Sequence, residues 1–124
     1  MLSNPAFRLL TAPTALSKLL GPLEIEIMQI MWQGGKRTVK VVHRILAPQR
    51  ARAYTTIMTT MSRLAEKGVL QRERVGLAYI YTAAISEQAF VSQALTNILD
   101  AIARDYPATL VDELETRRQL SEVL

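Results

Sequence analysis

Ala53-Tyr54-Thr55-Thr56-Ile57-Met58-Thr59-Thr60-Met61-Ser62-Arg63-Leu64-Ala65-Glu66-Lys67-Gly68 is the stretch that decides the fold. Ile57, Met61 and Leu64 recur at i, i+4 and i+7, the spacing of one helical face. The pattern predicts a helix from Tyr54 to Lys67, stopped by Gly68. At 100° per residue the opposite face collects Thr55, Thr56, Thr59, Ser62 and Arg63. Solvated helix faces favour Glu, Lys and Gln, whereas short β-branched or hydroxyl side chains are poor helix formers. Their concentration here points to contact with a partner. Threonine can bond base edges and offer its methyl to thymine, and arginine can pair with guanine or grip phosphate.

Toward the N-terminus, Thr38 is placed to cap a short helix whose apolar face is Val39, Val42, Ile45 and Leu46, closed by Pro48. The intervening loop, residues 49–53, carries Arg50 and Arg52. Before it, Pro22 sits in the first turn of a helix in which Leu23, Ile27, Ile30 and Met31 recur at helical spacing. Ile25, Met28 and Trp32 widen that surface, so the helix is expected to be largely buried, and Gly34-Gly35 stops it. Residues 1–20, with Pro5 and Pro13, are assigned no element and form an N-terminal arm.

Toward the C-terminus, Val69–Val75 and Tyr79–Thr82 read as two strands joined through Gly76. Tyr79 and Tyr81 share a strand face, where they pack under the hairpin or touch a nucleic-acid backbone; packing is favoured. Ser86 caps a long helix, Glu87 to Arg104, with Val91, Leu95, Ile98 and Ile102 in one stripe. Asp105-Tyr106-Pro107 opens a last helix bearing Leu110, Val111 and Leu114. The stripe lies beyond a domain that already has its core, so a second copy of the chain is its expected partner. Three helices followed by a two-stranded hairpin is the order of a winged helix-turn-helix. The predicted class is therefore mostly α with a small β-hairpin. Residues 21–83 form the DNA-binding domain and residues 84–124 a helical dimerisation region.

Charge supports this division. Residues 36–80 hold ten Lys/Arg against two acids, a net +8; residues 86–124 hold three against seven, a net −4. A basic middle joined to an acidic end suits a module that meets a polyanion. With no cysteine and a single histidine, His43, there is nothing to build a disulfide, a thiolate metal site or a cysteine nucleophile. No phosphate-binding glycine loop or paired metal spacing is present, so neither an enzyme nor a bound cofactor is expected. Met28, Met31, Met58 and Met61 read as core or near-core residues. No apolar run reaches the ~18–20 residues of a membrane span, and no secretory signal is evident, so a cytoplasmic location is expected. A winged-helix adaptor for another protein is the alternative function. It would call for an acidic or apolar third-helix face.

Several segments also carry a family resemblance. Leu20-Gly21-Pro22-Leu23-Glu24, continuing through Ile27-Met28 to Trp32, resembles the first-helix signature of the penicillinase-repressor family (BlaI/MecI/CopY-like repressors). Thr38-Val39 fits the second helix, Ala53–Met58 with Arg63-Leu64 and Lys67-Gly68 the third, and Gly76, Tyr79 and Tyr81 the wing. The resemblance covers residues 20–82 in order. It implies a homodimeric repressor on a palindromic, double-stranded operator, held together by a C-terminal helical region. The residues expected on DNA are Thr55, Thr56, Thr59, Ser62, Arg63, Arg50, Arg52, Lys67, Arg72 and Arg74. Those expected in the dimer are Val91, Leu95, Ile98 and Ile102. The sequence departs from the family at Leu77, where the wing often carries a basic residue, which shifts expected phosphate contact to Arg72 and Arg74. It departs again at Asn97-Ile98, since members induced by proteolysis are often cut at an Asn–Phe bond. It also lacks the C-terminal cysteines of copper-sensing members.

Overall fold

The structure, a computed structural model, describes residues 14–48 and 53–123. Helix α1 (Thr14–Ser17) is a single turn. It is followed by α2 (Pro22–Met31), α3 (Val39–Leu46), α4 (Tyr54–Glu66), strands β1 (Leu70–Val75) and β2 (Ala78–Ala83), α5 (Glu87–Asp105) and α6 (Pro107–Val123). The expected class, mostly helical with one antiparallel hairpin, is what the chain adopts.

The starts of α2, α3 and α5 each have a local cause. Glu24 reaches back to accept from the Gly21 backbone N–H at 2.9 Å, and Pro22 follows at the position where a missing N–H costs nothing. The Thr38 hydroxyl accepts from Val41 N–H at 3.2 Å and caps α3. The Ser86 hydroxyl accepts from Ala89 N–H at 3.0 Å and does the same for α5. Helix α4 is the exception: its N-cap, Ala53, is extended and supplies no side-chain bond. Gly68 leaves α4 with φ +82°, in the left-handed region that glycine enters freely.

The hairpin register pairs Leu70 with Ala83, Arg72 with Tyr81, Arg74 with Tyr79 and Val75 with Ala78. Gly76, at φ +63°, begins the two-residue connection. The outer edge of β2 is met at one point by Arg37, which exchanges both backbone hydrogen bonds with Tyr81 (2.9 and 2.8 Å). Among the described residues β1 has β2 as its only strand neighbour.

The core is built from Ile27, Met28 and Met31 of α2, Val42 and Leu46 of α3, Ile57, Met61 and Leu64 of α4, and Leu70 and Tyr81 of the hairpin. Leu16 and Leu20 join it from the segment that sequence periodicity left unassigned. One turn of helix is too short to show a period, so their burial is a product of tertiary packing. Trp32 anchors the chain just after β2: its Nε1 donates to the Ile85 carbonyl at 3.1 Å and its ring lies 5.8 Å from that of Phe90.

The chain forms two compact units, one running through Phe90 and one from Val91 onward. The second consists of the rest of α5 and α6. Neither helix contains a buried residue, and Val91, Leu95, Ile98 and Ile102 are all exposed. On α6 Arg117 pairs with Glu113, and Arg118 with Glu115 and Glu122, all within the helix. Among the described residues no helix is long and apolar enough to cross a membrane.

Candidate nucleic-acid interface

With Ile57, Met61 and Leu64 turned into the core, α4 leaves its other side in solvent. Thr55, Thr56, Thr59 and Arg63 are exposed there and Ser62 is half-buried. The Thr56 carbonyl also accepts the Thr60 hydroxyl at 2.8 Å, a back-bond that satisfies the half-buried Thr60 within the helix. Lys67, one residue past α4, is exposed and bonds Glu24 of α2 at 2.9 Å. Burial alone would raise the Glu24 carboxyl's pKa. The Gly21 N–H, Lys67 and the nearby Arg63 together hold it below its ordinary value. Arg50 and Arg52 lie outside the described residues.

The wing stands beside one edge of this helix. Strand alternation puts Arg72, Arg74, Tyr79 and Tyr81 on the same face. Tyr81 is rooted in the core, 1% exposed, while Tyr79 is exposed. The Arg72 guanidinium spans the gap between wing and helix. Its Nη1 donates to the Ser62 hydroxyl at 3.0 Å and to the Tyr81 hydroxyl at 3.4 Å, and it lies 4.5 Å above the Tyr79 ring. The bond to Tyr81 raises the Arg72 pKa further above its already high ordinary value. Arg74 donates through Nε to the Gly76 carbonyl at 3.1 Å and approaches Tyr79 from further out, 6.0 Å.

Between α4 and the wing lies an open groove that takes in Met58, Thr59, Ser62 and Arg63 on the helix and Arg72 and Tyr79 on the wing. Residue type puts Met58 near the core with the other methionines, yet it is 43% exposed and lines this groove, whereas Met28, Met31 and Met61 are fully buried. The signal was available: Met58 sits 100° from Ile57 and off the inward stripe. Glu66 also reaches the groove, one turn past Ser62. At the wing tip Leu77 is 98% exposed. His43 stacks edge-on to Tyr54, ring centroids 5.7 Å apart. No metal-binding group of acids and histidines exists among the described residues.

The family model described as penicillinase repressor matches residues 20–123. The chain belongs to the penicillinase repressor family. Relatives within it are named as a transcriptional regulator and a penicillinase repressor, so the family is one of regulators and not of enzymes. The transcriptional regulator BlaI of Mycobacterium tuberculosis is 33% identical over 81 residues, 64% of this chain and 59% of that protein. The penicillinase repressor of Bacillus licheniformis is 28% identical over 87 residues, 70% of this chain and 66% of that protein. The chain thus spans about three fifths to two thirds of the length of these curated relatives. The solution structure of the DNA-binding domain of the repressor BlaI superposes with a TM-score of 0.51 at 28% identity. The match covers 56% of this chain and 84% of that domain. The first compact unit is therefore a winged helix of the penicillinase repressor type.

Proposed function

We propose that this chain is a sequence-specific transcriptional repressor that binds a palindromic operator as a homodimer. The observation that carries the reading is α4, which turns Thr55, Thr56, Thr59 and Arg63 to solvent beside a wing bearing Arg72 and Arg74. A helix with short hydroxyl side chains can enter the major groove closely, while flanking cations hold the phosphates on either side. In this reading Thr55, Thr56, Thr59, Ser62 and Arg63 face base edges, and Lys67, Arg74, Arg50 and Arg52 serve the backbone. The exposed stripe Val91, Leu95, Ile98 and Ile102 supplies the contact between two copies. Support for DNA as partner comes from the likeness to a repressor's DNA-binding domain and from the +8 charge of residues 36–80.

The test is a salt titration of binding to random duplex DNA. If a dimer sets roughly 6–10 cations near phosphates, affinity falls by ~10³-fold or more between about 50 and 200 mM salt. A flat salt dependence, or binding to a protein extract with none to duplex, would sink the reading in favour of an adaptor.

A further inference from the structure

The wing has little to hold it in place. From Gln71 to Tyr79 every residue is exposed, so the outer hairpin buries nothing in the core. A lone two-stranded hairpin is marginal in water, and its angle to the neighbouring helix is set by whatever ties it down. Arg72 lies two residues past the buried Leu70 on β1, and its side chain hydrogen-bonds Ser62 of α4. One of its nitrogens bonds Ser62 on the helix and Tyr81 on the opposite strand, and its plane is covered by Tyr79. Tyr81 is itself anchored, buried and bridged to Arg37. We propose that Arg72 is a positioning residue that clamps the wing to the recognition helix at a fixed spacing, and that it is not a phosphate contact. This rests on the DNA-binding reading above.

The chemistry separates the two roles. A phosphate contact asks for a positive charge, which lysine also provides. A clamp of this kind asks for a donor that bonds two hydroxyls while its flat guanidinium covers the Tyr79 ring, and lysine has no plane to lay on that ring. Ser62, in turn, has its hydroxyl engaged by the clamp, which makes it a weaker candidate for base reading than Thr59.

Binding of the full chain to a random duplex, measured by fluorescence anisotropy across a salt series, tests this. Arg72→Lys is expected to bind about tenfold more weakly at every salt concentration with the log–log slope unchanged, as loss of a charge-assisted, stacked contact predicts. Arg74→Lys stays within about twofold. Ser62→Ala and Tyr81→Phe each weaken binding, and Ser62→Ala adds nothing in the Arg72→Lys background, because coupled partners are not additive. The clamp is overturned if Arg72→Lys binds like wild type while Arg72→Ala flattens the slope by about 0.9 per contact. Arginine side-chain NMR of the DNA-free chain gives a second readout. Slowly exchanging Arg72 Nη protons that vanish in Tyr81→Phe support the clamp, and their absence from wild type overturns it. If those signals are present but wild type ignores duplex DNA at low salt, the DNA-binding reading fails and the clamp stands.

Discussion

Thr59 stands near the centre of the exposed face of α4, directly opposite the buried Ile57, Met61 and Leu64. If its hydroxyl and methyl meet a base, Thr59→Ala costs about 1–3 kcal/mol on the preferred operator and little on random duplex. Arg74→Ala weakens both alike, because a phosphate carries no sequence information. Selecting the operator from a random pool and titrating both variants on it decides the matter. Equal losses for the threonine variant on both DNAs would contradict a base contact. Glu24 makes a second prediction, about pH. Its folded pKa lies below the ordinary 4.5, so its charge stabilises the fold above that pH. The contribution is lost as pH falls through the folded value. Glu24→Gln keeps the capping bond and removes the charge. It should cost about 0.5–1 kcal/mol near pH 7, with the difference shrinking as pH falls below 4.5 and vanishing below the folded value, as read by urea unfolding. A difference that persists unchanged at pH 3 would refute this. The exposed threonines were legible from the sequence because three apolar residues fix the helix's phase. The Arg72 contacts were not, because they depend on the strand register that sets Arg72 opposite Tyr81.

Among the elements, α4 starts with little local support of its own. Ala53 gives its N-cap no side-chain acceptor, and no acid lies in the first turn, whereas α2 and α3 both have a capping side chain. Ala53 already has the extended backbone an N-cap needs, at φ −67° and ψ 144°. Ala53→Ser should therefore raise stability by about 1 kcal/mol, seen as a higher urea midpoint with an unchanged slope. An unchanged or lower midpoint would show that the first turn is satisfied in another way. Elements with a clear period beside a cap or a stop were readable in advance: Thr38 with Val39 and Val42, Ile57 with Gly68, and Ser86 with the long helix after it. Helix α1 has none of these signals. Leu16 and Leu20 became core residues through packing that no local pattern encodes. Met58 shows the complementary limit, since hydrophobicity alone suggested the core and only its angular position put it in the groove.

At the scale of the whole molecule, two compact units differ in how they bury apolar surface. The first completes its core within residues up to Tyr81, with Phe90 packed at its margin. The second leaves Val91, Leu95, Ile98, Ile102, Leu114 and Leu120 exposed. These side chains are about half exposed, so covering them is worth roughly 1 kcal/mol each, which is the proposed drive for pairing two chains. Sedimentation of the full chain should therefore show a dimer. Leu95→Asp, or truncation after Phe90, should give a folded monomer that binds the operator ~10²–10⁴-fold more weakly, through loss of avidity. A dimer that survives truncation would place the interface elsewhere. The hairpin has one more consequence. The outer edge of β1 offers unpaired backbone groups to any passing strand, the usual seed of β-aggregation. Arg72, Glu73 and Arg74 occupy most of that edge, so a second copy docking there must bring charged side chains together. Without them, the strand would lead through Val75 to the bare Leu77 as an adhesive ribbon. These charges keep concentrated protein from sticking to itself, and a wing redesigned to be more apolar would lose its solution behaviour before it lost its fold.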